Sequence, residues 1–547
     1  MKRYIKTIIA SALVVVSLLS TTSFSNAKYQ MPDKIKVGLY FNESNTNTAL
    51  PLFSVNAPAG LQVGFFKDNA FSLLYNEPSA SDLIVRKDTW FSKANGALKE
   101  YSPSGSAAPQ GELYGPWHIK LGGDYPDQAA AQAQAAEYAK QGIPAYPAYA
   151  DAWQVWAGSC TDEASASGEM ANYSGLLPEL KMALVQPSPK GIAVVNKENE
   201  VLCIFQSSTA LFRVQPGPKN NPSVFNINGN SYRGSLEVTR LQTSDMTVIN
   251  VVTLKEYLYG NVPPEIGGGV PAEAQKAQAV ASKMYVLNNL GKHGKTGFDL
   301  TATVSDQVYK GYSSEKPACN AAIDEVVDRF ITYDGKLADA IFYFASSGGR
   351  TEDVKNVWGS TYPYLVSVED KYEKIYTWTK TLRASDVKAK IPSLGNILGM
   401  AITKTAASGR VTQLAVRGDQ KNDPALYELE KSRTVFSLDS QLYTITTDAD
   451  VYVAPVQATP AKTQLGGKTV LSATGSKKLT SPNNKVTVLG ADGVAKTAAL
   501  VPETYTFSGK GWGHAVGMSQ EGAIGMGKAG IKYDDILTHY FTGTKIE

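Results

Sequence analysis

Residues 254–290 constrain this chain more than any other stretch. They read LKEYLYGNVPPEIGGGVPAEAQKAQAVASKMYVLNNL. Pro263 and Pro264 stand before Glu265, and Gly267, Gly268 and Gly269 come after it. Proline fixes the approach of a backbone and glycine frees it, so the run predicts a strained turn displaying one carboxylate. A helix is predicted next. Pro271 suits its first position, and Glu273 lies in its first turn, where the positive end of the helix dipole favours an acid. Ala277, Val280, Met284 and Leu287 recur at helical spacing and predict one apolar face. Gly291 falls where a helix cap is expected. The pattern therefore sets Glu265 just ahead of a helix packed into a core.

A chain of 547 residues exceeds what one hydrophobic core organises, so two to four domains are expected. Residues 1–27 read as a secretory signal. Lys2, Arg3 and Lys6 precede a mostly apolar run, and Ser25, Asn26 and Ala27 supply small residues for cleavage. The run is short for a membrane span, and no later stretch is long and apolar enough to cross a bilayer. The whole chain carries a formal charge of +3, and the three basic residues of the signal account for it. A neutral remainder argues against nucleic acid as a partner. Cys160, Cys203 and Cys319 are too few for a disulfide framework. They allow one pair with a free thiol, or three buried thiols. No metal-ligand spacing is present, and neither metal nor cofactor is expected.

Along the chain, residues 28–101 alternate in short strands and predict a β-rich unit. Residues 102–112 turn to Pro, Ser, Gly and Ala and read as a linker. Residues 113–190 predict a compact α/β unit. Its strands include WHIKLGG from Trp117, WQVWAGS from Trp153, and residues 146–149 and 181–186; helices fall at 127–141 and 161–177. Residues 191–445 resume a strand-rich pattern around the opening stretch. Residues 446–504 look like an inserted β-rich or loop segment, and residues 505–547 close the chain with GKGWGHAVGMSQEGA and a short helix at 533–541. The fold class is α+β and multi-domain, with a β-rich domain whose central helix adjoins the glutamate turn.

The two strand–helix halves of 113–190 resemble the SPOR domain, a small ferredoxin-like module that binds peptidoglycan. Four ordered motifs resemble the SpoIID/LytB family of cell-wall proteins. These are INVVTLKEYLYGNVPPE with PAEAQKAQAVASKMYVL, then SDQVYKG, then FASSGGRTE, then GKGWGHAVGMSQEGA. The sporulation branch of that family consists of lytic transglycosylases acting on glycan strands without stem peptides, and the LytB branch is named for amidase modifiers. The resemblance implies a secreted, wall-associated protein with Glu265 as the catalytic acid. It also shows departures. Lys283 stands where an Arg is usual, which removes the bidentate fork, and Ala515 replaces a glycine. Some members hold zinc near the second motif, but residues 299–311 contain no Cys or His.

A lytic transglycosylase needs one carboxyl group. It protonates the glycosidic oxygen, then deprotonates the sugar's own 6-hydroxyl as that oxygen closes a 1,6-anhydro ring. Glu265 must then start protonated, which predicts a partly desolvated pocket. Gln278, Tyr309, Ser346, Ser347, His514 and Gln520 are the candidate substrate-binding residues around it. The implied partners are peptidoglycan glycan strands and a cell-wall amidase. The alternative function is a non-catalytic enhancer of such an amidase.

Overall fold

The computed structural model describes residue 29 and residues 31–43, 46–105, 109–240, 245–453, 461–466, 468–472, 475–479, 483–489 and 492–547. The expected secretory signal, residues 1–27, lies outside the described residues.

The strand Met246–Val252 (MTVINVV) is buried along its whole length. Side chains alternate across a strand. Met246, Val248 and Val252 therefore enter the main core, while Ile249 and Val251 pack with Phe41 and Phe298 on the other side. Burial on both faces explains the unbroken apolar run. The strand belongs to a seven-stranded sheet. Its order is Leu300–Thr301, Ile35–Tyr40, Met246–Val252, Ser235–Arg240, Leu211–Pro216, Leu61–Lys67 and Ala70–Glu77. Residues 28–101 thus do not form a unit of their own. Ile35 pairs with Val252, and Val214 pairs with Val63, within one sheet.

A second sheet has ten strands. One end of it comes from residues 113–190. Strand Trp117–Leu121, helix α1 (Gln128–Lys140), strands Ala145–Tyr149 and Trp153–Cys160, helix α2 (Glu163–Leu176) and strand Met182–Val185 occur in turn. The first strand lies between the fourth and the third, and the second pairs with the third, all antiparallel. Asp127 and Asp162 cap the two helices through their side chains, which accept from Ala130 N–H and Ser165 N–H. The sheet then continues through Val201–Phe205, parallel to Ala145–Tyr149. Cys160, Cys203 and Cys319 are buried free thiols.

Helices α3 (Leu254–Ile266) and α4 (Ala272–Asn288) come directly after the buried strand. The stretch 263–269 is not the turn expected from its prolines. Pro263, Pro264 and Glu265 form the last turn of α3, and the chain leaves the helix only at Gly267, with φ +100°. The helix starts at Thr253, whose side chain accepts the Glu256 N–H while Glu256 accepts the Thr253 N–H. Proline withholds the N–H that the carbonyl four residues earlier needs. For Pro264 that carbonyl is Gly260, and two groups outside the helix take it. They are the Lys310 N–H at 3.0 Å and the Ser314 hydroxyl at 3.1 Å.

Pro271 is the N-cap of α4 rather than its first helical residue, and the C-cap is Asn289, two residues before Gly291. Ala277, Val280 and Met284 are buried as expected, and Leu287 is half-buried against the same core. Helix α4 packs on α3, on α5 (Pro317–Asp324), and on the C-terminal helices Gln520–Lys528 and Tyr533–Tyr540. Ala274, Ala277, Ala281 and Ser282 keep its surface small enough for neighbours on several sides.

Residues 378–445, with Tyr505 and Phe507, supply a core of their own, which includes Leu382, Val387, Val416, Phe436, Tyr505 and Phe507. Strand Thr377–Arg383 enters this unit and Thr504–Lys510 leaves it, paired antiparallel from end to end. The insertion is therefore wider than 446–504. Within that stretch the described residues form three two-stranded ladders. No helix among the described residues is long and apolar enough to cross a membrane.

A Cβ at Gly260 would sit 2.7 Å from the Tyr309 ring and 2.9 Å from the Gly311 backbone. Gly260→Ala should destabilise the fold by about 1–3 kcal/mol. Gly269→Ala, which meets nothing within 4 Å, should change stability by less than about 0.5 kcal/mol. Thermal unfolding by calorimetry compares the two.

Candidate active site

Glu265 projects from the end of α3 and is half-buried. Its Oε1 accepts the Val308 N–H at 2.5 Å, and its Oε2 accepts the Gln520 side-chain amide at 3.4 Å. The same Gln520 amide lies 3.3 Å from Gln278 Oε1. Gln278 donates to Ser282 Oγ at 3.1 Å, and the Ser282 hydroxyl lies 3.5 Å from the Tyr343 hydroxyl. Gln307 donates to the Tyr343 oxygen at 2.8 Å and accepts from Tyr257 OH at 2.8 Å. Three elements distant in sequence thus meet at one carboxyl group. They are the end of α3 with α4, the 307–308 segment, and the start of the helix Gln520–Lys528.

Burial raises the Glu265 carboxyl above its ordinary value, against the pull of the Val308 and Gln520 donors toward the ionised form. The negative charge of Glu265 is in turn felt by Tyr257, Tyr285 and Tyr343. Burial first, then other groups including this carboxylate, raise all three phenols. Glu265 is therefore ringed by neutral hydroxyls and amides.

A second carboxylate lies behind this ring. Asp306 is enclosed by the Lys292 ammonium at 2.5 Å, His293 Nε2 at 2.9 Å, the Thr301 N–H at 2.8 Å and Tyr285 OH at 3.2 Å. Burial alone would raise it, yet Lys292 and Thr301 hold it below the ordinary carboxylate range. Its side chain has no exposed surface. The two acids are pushed apart: Asp306 stays an anion inside, and Glu265 tends toward the neutral acid at the rim.

The other expected site residues fall in different places. Ser346 and Ser347 are buried in the turn that bridges to Trp512. Ser346 donates to Glu373 at 3.2 Å, Ser347 donates to Asp370 at 2.9 Å, and Glu373 also accepts the N–H groups of Ser347 and Gly349. These hydroxyls hold the turn in shape. Tyr309 is buried, stacks on Tyr257 with ring centroids 4.9 Å apart, and donates to Asn250 at 2.7 Å. His514 lies among the rings of Trp358, Phe344 and Phe342 and accepts the Val516 N–H at 3.0 Å. Burial first, then Arg433 and Arg410, lowers its pKa to about 3, so it is neutral at any ordinary pH. Of the seven residues expected at the site, the structure joins Glu265, Gln278 and Gln520 directly and uses the other four to pack and shape the surroundings.

Sequence reasoning missed Gln307, Val308 and Asp306. They sit in the SDQVYKG stretch, where the ring of Tyr309 is the more conspicuous feature. Among the described residues Lys283 reaches no carboxylate. Its ammonium donates to the carbonyls of Val327 and Arg329 and lies 3.8 Å from the Phe330 ring centre. Burial lowers its pKa to about 7. A compact ammonium serves two carbonyls and a ring, and no planar fork is needed there. No cluster of three or more His, Cys, Asp or Glu side chains suited to a metal ion occurs among the described residues.

Comparison with known proteins bears on residues near this site. Residues 242–333, which carry α3, α4 and the 306–309 segment, match the SpoIID family model, described as Stage II sporulation protein. The chain is 32% identical over 304 residues to the protein named amidase enhancer of Bacillus subtilis (strain 168), a match covering 53% of this chain and 40% of that relative. It is 26% identical over 323 residues to Stage II sporulation protein D of the same organism, covering 56% of this chain and 77% of the relative. An uncharacterised protein of Brachyspira hyodysenteriae is 28% identical over 329 residues, covering 59% of this chain and 74% of the relative.

Two outcomes are expected. The fold holds the Glu265 proton more tightly than the unfolded chain does, so the group's contribution to stability falls as pH rises from 4.5 through its raised value, and is level below that range. Glu265→Gln removes this loss. Calorimetry across pH should show the variant gaining on the parent as pH rises through that window. Tyr309→Phe leaves the buried Asn250 oxygen without its donor and should cost about 1–3 kcal/mol of stability, read by thermal unfolding.

Proposed function

Because the chain belongs to the SpoIID/LytB family, we propose that it is a wall-associated lytic transglycosylase that cleaves peptidoglycan glycan strands lacking stem peptides. The observation that carries this reading is the environment of Glu265: a half-buried carboxyl with a raised pKa at a rim of neutral donors. In the first step the protonated Glu265 gives its proton to the glycosidic oxygen, and the bond from that oxygen to C1 breaks. In the second, the resulting carboxylate takes the proton of the same sugar's 6-hydroxyl. The 6-oxygen bonds to C1 and closes the 1,6-anhydro ring. The proton returns to Glu265, and no water is consumed. The exclusion of Asp306 from solvent supports a one-carboxylate route over hydrolysis, which uses two. Val308 N–H and the Gln520 amide steady the anionic state between the steps.

The unit at 113–190 is read as a ferredoxin-like, SPOR-type module that holds the enzyme on such strands. Its β–α–β–β–α–β order, with the first strand between the fourth and third, supports this. The basic, apolar and small-residue pattern of residues 2–27 supports export to the wall. A second reading, a peptidoglycan-bound enhancer of a cell-wall amidase, is favoured by the relative whose name is amidase enhancer.

Incubation of the purified protein with peptide-free glycan strands, followed by mass spectrometry, decides between them. The parent should release fragments with 1,6-anhydro ends, and Glu265→Gln should lower the rate by about 10²–10⁴-fold. The rate should fall as pH rises through the raised Glu265 pKa, because only the protonated form donates. Solubilisation that needs an added amidase and leaves no anhydro ends would favour the enhancer reading.

A further inference from the structure

The turn that carries Ser346 also displays an aromatic surface that the chemistry at Glu265 does not use. Trp512 is 55% exposed and Tyr376 is 37% exposed, and their rings lie 5.4 Å apart at an angle of 33°. Ile375 and Tyr372 of the same loop are also exposed. Exposure of this much aromatic surface in one place marks a contact site.

The backbone beneath it is rigid. Trp512 N–H donates to Ser346 O at 2.8 Å, and Ser346 N–H donates to Trp512 O at 3.1 Å. Gly511 N–H donates to Tyr376 O at 2.8 Å, and Gly513 N–H donates to Asp439 O at 2.8 Å. Gly511 has φ +80°, and a Cβ there would lie 2.7 Å from Ser346 O. The Tyr376 hydroxyl donates to Asp439 at 3.1 Å, which sets the angle of its ring. Glu373 points inward from the same loop, onto the Ser346–Gly349 turn. The fold thus anchors the polar side of this loop and leaves the aromatic side in solvent.

We propose that Trp512 and Tyr376 form a stacking platform for the pyranose faces of a glycan strand whose scissile bond lies at Glu265. This rests on the reading of Glu265 as an acid acting on glycans. Two connections tie the platform to the elements around the acid. Ser346, which is bridged to Trp512, lies three residues from Tyr343, whose hydroxyl belongs to the network around Glu265, and three extended residues span about 10 Å. Trp512 and Gln520 also belong to the same C-terminal motif, and Gln520 touches Glu265. A sugar ring offers C–H groups on its faces and hydroxyls at its edge. A rigid, amphipathic aromatic pair matches the first and leaves the second in water. Platform contacts made away from the reacting centre hold the strand in register for proton transfer.

The test is hydroxyl-radical footprinting of the full chain carrying Glu265→Gln, with and without saturating peptide-free glycan strands, read by mass spectrometry at single residues. Labelling of Trp512 and Tyr376 should fall several-fold when strands are present. Trp512→Ala should raise the strand concentration needed to protect Gln520 by about tenfold, and Trp512→Tyr should restore most of that loss. Equal labelling of Trp512 with and without strands would overturn the platform. So would protection of Trp512 by an added amidase and not by strands. Protection by strands in a protein whose parent makes no anhydro ends would sink the transglycosylase reading and leave the platform standing.

Discussion

The Gly260 carbonyl, deprived of its helical donor by Pro264, is the point on which the site is built. The Lys310 amide and the Ser314 hydroxyl take it. That contact clamps the 307–314 segment against the end of α3, and the absence of a side chain at Gly260 lets the Tyr309 ring close over the joint. With the segment fixed, Val308 N–H lies on one oxygen of Glu265 and Gln307 reaches Tyr343. An unbroken helix would have met the Gly260 carbonyl internally and left this segment without its anchor. The proline pair thus does more than stop a helix: it makes an acceptor available to another part of the chain.

Electrostatics then separates two carboxylates that share a neighbourhood. Tyr285 stands between them, donating to Asp306 and sensing the charge of Glu265. Asp306 has a lysine, two donors from Thr301 and a histidine, and remains charged out of reach of solvent. Among the described residues Glu265 has an amide N–H and a weakly held glutamine as donors. Burial therefore prevails at Glu265, and ion pairing prevails at Asp306. The two carboxyl groups thus shift in opposite directions, Glu265 upward and Asp306 downward.

Much of the architecture was legible because local periodicity reported it. Helices expected at 127–141 and 161–177 are found at Gln128–Lys140 and Glu163–Leu176, since aspartate caps and flanking Pro or Gly mark their ends. The buried run at 246–252 and the apolar face of α4 were equally plain. Helix α3 was not, although the Thr253-x-x-Glu256 capping box announces it. The two prolines outweighed that signal, because a proline pair normally ends a helix, and the donors that rescue this one lie some fifty residues away. Tyr309 and His514 drew attention as ring-bearing residues in distinctive motifs, yet each is enclosed by other rings. No local pattern tells which side of a loop will face a core.

The amino-acid sequence by itself determined the strands and most of the helices, because capping and alternation are written in neighbouring residues, and its motifs singled out Glu265 with six candidate companions. Tertiary structure alone decided that Glu265 ends a helix, that Val308 rather than Tyr309 contacts it, that burial raises its carboxyl while Lys292 and Thr301 lower that of Asp306, and that Trp512 faces solvent. Each of these depends on desolvation and on hydrogen bonds between residues far apart in the chain. Those quantities come into existence only when the chain has closed around them.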